Sequence, residues 1–434
     1  MKTTCCLTLA VLLAAASVSR GDGEMYTSVY RPSDRKGALV IGVKFHLWIP
    51  PGVKAVRGVI VHQHGCGSGA CKGGETAALD LQWRELARKW GCALLGPSYQ
   101  QDDKQSCRLW CDPRNGSGKV FLEALADLAR QSKHPEIEAA PWCLWGHSGG
   151  AFWASLMHVA HPERCVALWL RSGTAFGAWE KGEIEKPVIP PAAYLTPVML
   201  NPGAKEKGDK RFGGLWDASL AMHRAYRARG GLVGFAPDPR TAHECGDSRH
   251  LAIRFFDECL KHRLPEKPGG PLRAMPHEEA WLAEPLGKKA SPAKKHPGKV
   301  EESAWLPSAA AASAWAEYVE KGHVTDSTPP PAPTNVRVAV KDGKATVTWE
   351  ARADLESGIR QFILLRDGKE VGRLPEKPVG RFGRPQFQAI SYHDTPEQPV
   401  LAMRWADTAP GKSYQVVTVN GEGKESKPSP PASP

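Results

Sequence analysis

Gly146-His147-Ser148-Gly149-Gly150 sets a serine inside the pattern G-x-S-x-G, which occurs once in the chain. An apolar run, Trp142-Cys143-Leu144-Trp145, leads in, and Ala151 to Ala160 follows with the composition of a helix. Strand, sharp turn and helix in that order lift a serine hydroxyl onto an exposed apex. The N–H groups at the start of the helix lack intrahelical acceptors and can hold an oxyanion beside it. The chemistry this points to is attack of a serine on an acyl carbon. The plainer alternative is an ordinary Gly-rich turn, and the flanking strand and helix favour the nucleophile.

A serine hydroxyl is a weak nucleophile at neutral pH and needs a base within hydrogen-bond reach, itself oriented by an acid. On an α/β sheet with such a turn, the chain order is Ser, then acid, then His. His243 fits, between the last expected strand (Leu232 to Phe235) and the last helix. His158, His161 and His250 lie on or beside helices and fit less well. The acid belongs just after the strand that ends at Leu200. Glu206 stands there behind Pro202-Gly203-Ala204-Lys205, with Asp209 and Asp217 as alternatives. Glu244 follows the histidine directly and points elsewhere. Oxyanion donors are expected at the N–H of Gly149 and in the loop after the strand Gly58 to Gln63, at Cys66. A zinc reading competes: His62 and His64 alternate along that strand and could join His243 or Cys245. No carboxylate at ligand spacing completes it, so no metal and no cofactor are expected.

The elements that must position these groups are legible in order. Val43, Phe45, Leu47 and Ile49 alternate with Lys44, His46 and Trp48, a half-buried strand. Gly58 to Gln63 is more continuously apolar, hence central. Leu79, Trp83, Leu86 and Trp90 recur at helical spacing before Gly91. Cys92 to Pro97, the serine-bearing strand, Cys165 to Leu170, Pro197 to Leu200 and Leu232 to Phe235 are further strands. Helices carrying Phe121, Leu125 and Leu128, then Ala218 to Arg227, then Leu251 to Leu260 alternate with them. This predicts an α/β fold: a doubly wound, mostly parallel sheet with helices on both faces.

His64-Gly65-Cys66-Gly67 after a Val/Ile strand, the Gly-His-Ser-Gly-Gly turn and the late His243 together resemble the α/β-hydrolase superfamily over about residues 38–265. Within it the likeness runs to secreted esterases of the polyhydroxybutyrate depolymerase and feruloyl/acetylxylan esterase kind. The resemblance implies Ser148 as nucleophile, His243 as base and the Cys66 N–H as oxyanion donor. That family usually has Asp where Glu206 stands here, and Ala242-His243-Glu244-Cys245 departs from the depolymerase pattern.

Beyond Pro329-Pro330-Pro331 the hydrophobic period changes to two. Val336, Val338 and Val340, then Ala345, Val347 and Trp349, then Phe362 to Leu365 before an Asp367-Gly368 turn, then Tyr414 to Val419 read as short strands of a β-sandwich. The pattern resembles a fibronectin type III domain, with Trp349 as the core tryptophan and Tyr414 at the tyrosine corner. The piece from Pro375 to Thr408 is longer than that pattern expects.

Length and composition bound the rest. A chain of 434 residues with 41% hydrophobic content has room for two or three domains. Lys2 followed by the apolar Cys5 to Ala16 reads as a secretory signal, too short to span a membrane. The expected division is 1–19 signal peptide, 24–265 catalytic domain, 266–328 linker with a docking helix over Ala304 to Val319, and 329–434 sandwich. Export to a secreted or periplasmic location permits disulfides, and Cys66/Cys71 and Cys107/Cys111 are the expected pairs. Cys92, Cys143 and Cys165 open apolar runs and read as buried thiols. The net charge of +11 gathers partly at Lys288, Lys289, Lys294, Lys295 and Lys299, a solvated segment rather than a nucleic-acid surface. The expected partner is an ester substrate, polysaccharide or polyester in kind, with no nucleic acid and no membrane span.

Overall fold

The computed structural model describes residues 23–68, 73–74, 77–377 and 403–434. The expected signal segment, Cys71 and most of the long piece after Pro375 lie outside these residues. Eight strands form the main sheet in the order β1-β2-β4-β3-β5-β6-β7-β8. They are β1 (Glu24–Tyr30), β2 (Val43–Ile49), β3 (Val59–Gln63), β4 (Ala93–Tyr99), β5 (Trp142–His147), β6 (Cys165–Arg171), β7 (Val198–Asn201) and β8 (Val233–Phe235). From β4 to β8 every neighbouring pair is parallel, and β1 and β2 add an antiparallel edge. The alternation in β2 holds only in part: Val43, Phe45 and Leu47 are buried and Lys44 is exposed, but Trp48 on the other face is buried in the second core. Strand β3, covered on both faces, is buried along its whole length.

Among the described residues, six longer helices cover the sheet: α1 (Leu81–Trp90), α2 (Ser117–Ser132), α3 (Gly149–Ala160), α4 (Gly213–Arg227), α5 (Arg249–Arg263) and α6 (Ala309–Lys321). Phe121, Leu125, Trp153, Met157, Met222 and Tyr226 bring α2, α3 and α4 into one apolar core. Trp83, Leu86, Phe255, Phe256, Trp315 and Tyr318 bring α1, α5 and α6 into a second core on the opposite face. Helix α1 starts where Asp80 accepts from the N–H groups of Gln82 and Trp83, and stops at Gly91 with φ of 61°.

The stretch expected as linker is folded. Strands β9 (Trp281–Ala283), β10 (Ala290–Pro292) and β11 (Ala304–Leu306) form an antiparallel sheet, with β9 in the middle. Ala304-Trp305-Leu306, expected as the start of a helix, is therefore a strand. Pro307 interrupts, and Ser308 caps α6 by accepting from the Ala311 N–H. Trp305 and Trp315 are both buried against the second core. The Trp315 indole N–H donates to the Phe235 carbonyl at 2.7 Å. Three-residue strands set in Pro- and Lys-rich sequence carry too little periodicity to be seen before folding.

The C-terminal part forms two antiparallel sheets of three strands, β12-β13-β16 and β15-β14-β17. These are β12 (Thr334–Lys341), β13 (Lys344–Glu350), β14 (Gln361–Arg366), β15 (Lys369–Leu374), β16 (Arg404–Asp407) and β17 (Tyr414–Val419). Between the sheets lie Ala345, Val347, Trp349, Phe362, Leu364, Tyr414 and Val416, and Leu81 of α1 joins this core. Arg352 binds Glu85 of α1 at 2.6 Å, and Gln82 donates to the Leu355 carbonyl. The Tyr414 hydroxyl accepts from the Gly411 N–H and donates to Asp407. No helix among the described residues is long and apolar enough to cross a membrane.

Burial carries a pH cost. Desolvation holds His64 and His223 down at about 3 and His158 at about 4. In the unfolded chain these histidines titrate near ~6.5. Below that pH the unfolded chain binds protons that the native chain refuses, so stability is lost as pH falls and the loss is complete below the folded values. Each such histidine contributes a slope of up to about 1.4 kcal/mol per pH unit. We expect the urea midpoint to hold above pH 7 and to fall steeply between pH 6 and 4. A flat profile would contradict the buried, neutral state of these rings.

Candidate active site

Strand β5 ends at His147 and α3 begins at Gly149, leaving Ser148 alone in the turn with φ of 54° and ψ of −117°. That is a costly backbone for a residue with a side chain, on the order of 1–3 kcal/mol. The surroundings over-determine it. The Ser148 N–H donates to the Arg171 carbonyl at 2.9 Å, and its carbonyl accepts from Phe152 at 3.0 Å. A Cβ on Gly146 would strike the Gly150 backbone, so the strand and helix can meet this closely only over glycine.

Glu206 and His243 arrive on two loops joined to each other. Past β7, residues Ala204–Glu206 form a short 3-10 turn. The Ala204 N–H donates to the Asp238 carbonyl and the Lys205 N–H to the Thr241 carbonyl. This sets the loop against the one that carries His243. Arg171, wholly buried at the end of β6, grips the same loop. It donates to Asn201 O at 2.8 Å, to Thr241 Oγ1 at 2.8 Å and to the carbonyls of Ala242 and Glu244. His147 binds the His243 carbonyl through Nε2 at 2.7 Å.

The outcome is a continuous relay. His243 Nε2 lies 2.9 Å from Ser148 Oγ, and His243 Nδ1 lies 2.7 Å from Glu206 Oε1. The other carboxylate oxygen, Oε2, accepts from the Gly203 N–H at 3.2 Å. The Glu206 carboxylate is fully buried and the His243 ring is 13% exposed. Burial, opposed by the hydrogen bond and charge of Glu206, holds His243 below its ordinary range, and His147 and Arg171 push in the same direction as burial. Phe212 stacks on the His243 ring, 3.9 Å between centroids and 4° from parallel. Asp209 and Asp217 are exposed. Asp209 accepts from the N–H groups of Arg211 and Phe212, which keeps its carboxyl below the usual range. Glu244 accepts from the Ala242 N–H.

The loop after β3 runs against the start of α3, bringing Cys66 beside Gly149. The disulfide differs from both expected pairs: Cys66 bonds to Cys107, Cα to Cα 5.6 Å. Cys107 and Cys111 sit one helical turn apart, with the Cys111 N–H donating to the Cys107 carbonyl at 2.9 Å. Side chains in that relation lie about 5–6 Å apart at Cβ, too far for a disulfide. Cys111 is a buried free thiol, pushed up to about 12. Cys92, Cys143 and Cys165 are buried free thiols as well.

Gly149 is the contact between the disulfide and the turn. A Cβ there would overlap Cys66 Sγ and come within 2.6 Å of Cys107 Sγ. Gly149→Ala must therefore displace the disulfide, the helix start or both. With Ser148 read as a nucleophile, turnover of a short ester should drop roughly 10²-fold or more, with about 1–3 kcal/mol lost from stability. Near-native kinetics in Gly149→Ala would show that this packing does not position the site.

His62 and His64 are buried with ring centroids 4.8 Å apart, and His62 packs on Trp145 and Trp83. No group of three or more His, Cys, Asp or Glu side chains among the described residues is arranged to hold a metal. His158 binds the Ala193 carbonyl and His161 lies beside Glu163. Reading the sequence missed Arg171, His147 and Phe212. Arg171 left one trace, a charge closing a wholly apolar strand. His147 and Phe212 left none, because their roles exist only once two loops meet.

No protein-family model matches the chain, and no curated protein matches it. Solved structures do. A poly(3-hydroxybutyrate) depolymerase from Bordetella parapertussis is 15% identical over 57% of this chain and 92% of that one, with a TM-score of 0.40. An S-formylglutathione hydrolase from Agrobacterium tumefaciens is 15% identical, covering 57% and 96%, with a TM-score of 0.36. A dienelactone hydrolase from Anabaena variabilis is 18% identical, covering 56% and 100%, with a TM-score of 0.34. All three bear the names of hydrolases, and this chain has a parallel-rich eight-stranded sheet.

Proposed function

We propose that this protein is an exported serine hydrolase that cleaves carboxylic esters through an acyl-enzyme. The observation that carries the reading is the unbroken relay from Ser148 Oγ through His243 to the buried Glu206 carboxylate, 2.9 and 2.7 Å long. Ser148 Oγ attacks the ester carbonyl carbon while its proton passes to His243 Nε2. Glu206 holds Nδ1–H and stabilises the imidazolium that forms. The N–H groups of Gly149 and Cys66 receive the tetrahedral oxyanion. Collapse expels the alcohol, which takes the proton from Nε2. Water then loses a proton to His243 Nε2 and attacks the acyl carbon; collapse breaks the bond to Ser148 Oγ, which takes that proton back as the acid product leaves.

Residues 24–265 form the catalytic unit in this reading, and 329–434 a fibronectin type III-like sandwich. The corner hydrogen bond of Tyr414 and the buried Trp349 support the latter. Residues 1–19 act as a signal peptide, and the Cys66–Cys107 bond is in keeping with an oxidising compartment. The substrate is a polymer- or glycan-linked ester. Because His243 is held below its ordinary range, kcat/KM should fall only as pH drops through a value under ~6.5, where the base becomes protonated. A pH–rate profile on a nitrophenyl ester checks this.

The test is a fluorophosphonate probe combined with a substrate panel of acetylated xylan, feruloyl sugars, short nitrophenyl esters, polyester granules and peptide amides. Labelling at Ser148 with ester turnover supports the proposal. Amide turnover without ester turnover would make the protein a peptidase. Absence of both labelling and turnover would leave a non-catalytic binding protein on a hydrolase scaffold.

A further inference from the structure

We propose that Phe212 is a positioning residue of this reaction: its ring, laid flat on His243, fixes the tilt of the imidazole between Glu206 and Ser148 and keeps water off that face. The inference rests on the hydrolase reading above. Two hydrogen bonds hold His243 at Nδ1 and Nε2. Both act near the ring plane and leave rotation about the line between them weakly restrained. A flat contact is what removes that freedom. Phe212 supplies it at 3.9 Å and 4°, while His147 lies at 5.0 Å and 44°.

The same loop delivers the acid and this ring. The Asp209 N–H donates to the Glu206 carbonyl at 2.9 Å, and Asp209 Oδ1 accepts from Arg211 N at 2.8 Å and Phe212 N at 2.7 Å. The Gly213 N–H closes the turn on the Asp209 carbonyl as α4 begins. Asp209, considered from sequence as the acid, instead shapes the turn that returns Phe212 to the histidine. Arg211 lies 4.7 Å from the centre of the Phe212 ring. A cation already held against this ring weakens its pull on an imidazolium, so the role of Phe212 is geometric and water-excluding rather than electrostatic. The charged and titratable groups around His243 are Glu206, His147, Arg171 and, across the turn, Asp209 and Arg211.

The test compares Phe212→Ala, Phe212→Leu and Phe212→Tyr in the full chain with a nitrophenyl ester, across pH. Misplacement of a reacting group by about 1 Å costs on the order of 10²-fold, so Phe212→Ala should lose about 10- to 100-fold in kcat with KM little changed. Its acidic inflection should move to higher pH, because a rehydrated imidazole regains its ordinary affinity for protons. Phe212→Tyr should restore both, and Phe212→Leu should restore the pH profile more than kcat. A merely structural role would lower Tm and leave the inflection in place, which overturns the proposal. So would native kcat in Phe212→Ala, or a Tyr variant as poor as the Ala variant. If Phe212→Ala does not fold, the Leu and Tyr variants decide by the same criteria. Should Ser148 of the native protein fail to label with fluorophosphonate, the hydrolase reading falls. Should it label while Phe212→Ala behaves as native, only the present proposal falls.

Discussion

Replacing Ser148 with Ala should lower turnover of a short acyl ester by at least about 10³-fold while the protein still folds. The residue contributes little to the fold beyond its backbone. Its N–H and carbonyl bonds to Arg171 and Phe152 survive the change. Alanine meets the same unfavourable backbone at φ of 54° that serine does. What disappears is the oxygen 2.9 Å from His243 Nε2. A companion variant separates function from stability. Ser148→Gly should be equally inactive yet more stable than the native protein, since glycine adopts positive φ without strain. Thermal unfolding of the native, Ala and Gly forms, beside initial rates, checks both statements. A loss in rate of only a few fold would remove Ser148 from the nucleophile's role.

Glu206→Gln should lower kcat by roughly 10³- to 10⁴-fold, the range seen when a triad acid becomes its amide. The reason is specific to this carboxylate, which accepts on both oxygens: from His243 Nδ1 and from the Gly203 N–H. An amide has one acceptor. If its oxygen keeps Gly203, its NH2 faces Nδ1, which must then accept. The proton moves to Nε2, and His243 donates to Ser148 instead of accepting from it. If the oxygen keeps His243, the NH2 meets the Gly203 N–H in a buried place, at a cost of about 1–3 kcal/mol. In either orientation the negative charge that favours imidazolium is gone. Kinetics with circular dichroism of the variant check this, and kcat within tenfold of native would contradict it. Asp209→Asn is the control for the alternative acid, and should not approach the loss in Glu206→Gln.

Much of this arrangement was legible in sequence because it is local. The glycines around Ser148 announce a turn too tight for side chains, and the apolar run before them announces a buried strand. His243 and Glu206 were reachable because chain order on a parallel sheet restricts which loops lie at one edge. The hairpin at Asp367-Gly368 was legible for a similar reason, both residues taking positive φ. What could not be read depends on tertiary meeting points. Cys66 pairs with a cysteine 41 residues away because two loops converge on Gly149. Neighbours in sequence were the wrong guide to its partner. The sheet of β9, β10 and β11 draws its stability from packing against the second core, so its own residues resemble a linker. Arg171 and Phe212 owe their places to the His243 loop, whose path no pattern in the chain describes.

The central claim is a covalent bond between substrate and Ser148, and it can be weighed directly. The native protein is mixed with a short nitrophenyl ester, quenched in acid within milliseconds, digested and examined by mass spectrometry. The expected result is an acyl adduct on the peptide spanning Trp142 to Ala160, fragmenting to Ser148 and absent from Ser148→Ala. Steady hydrolysis with the adduct on another residue, or with full activity retained in Ser148→Ala, would contradict the account.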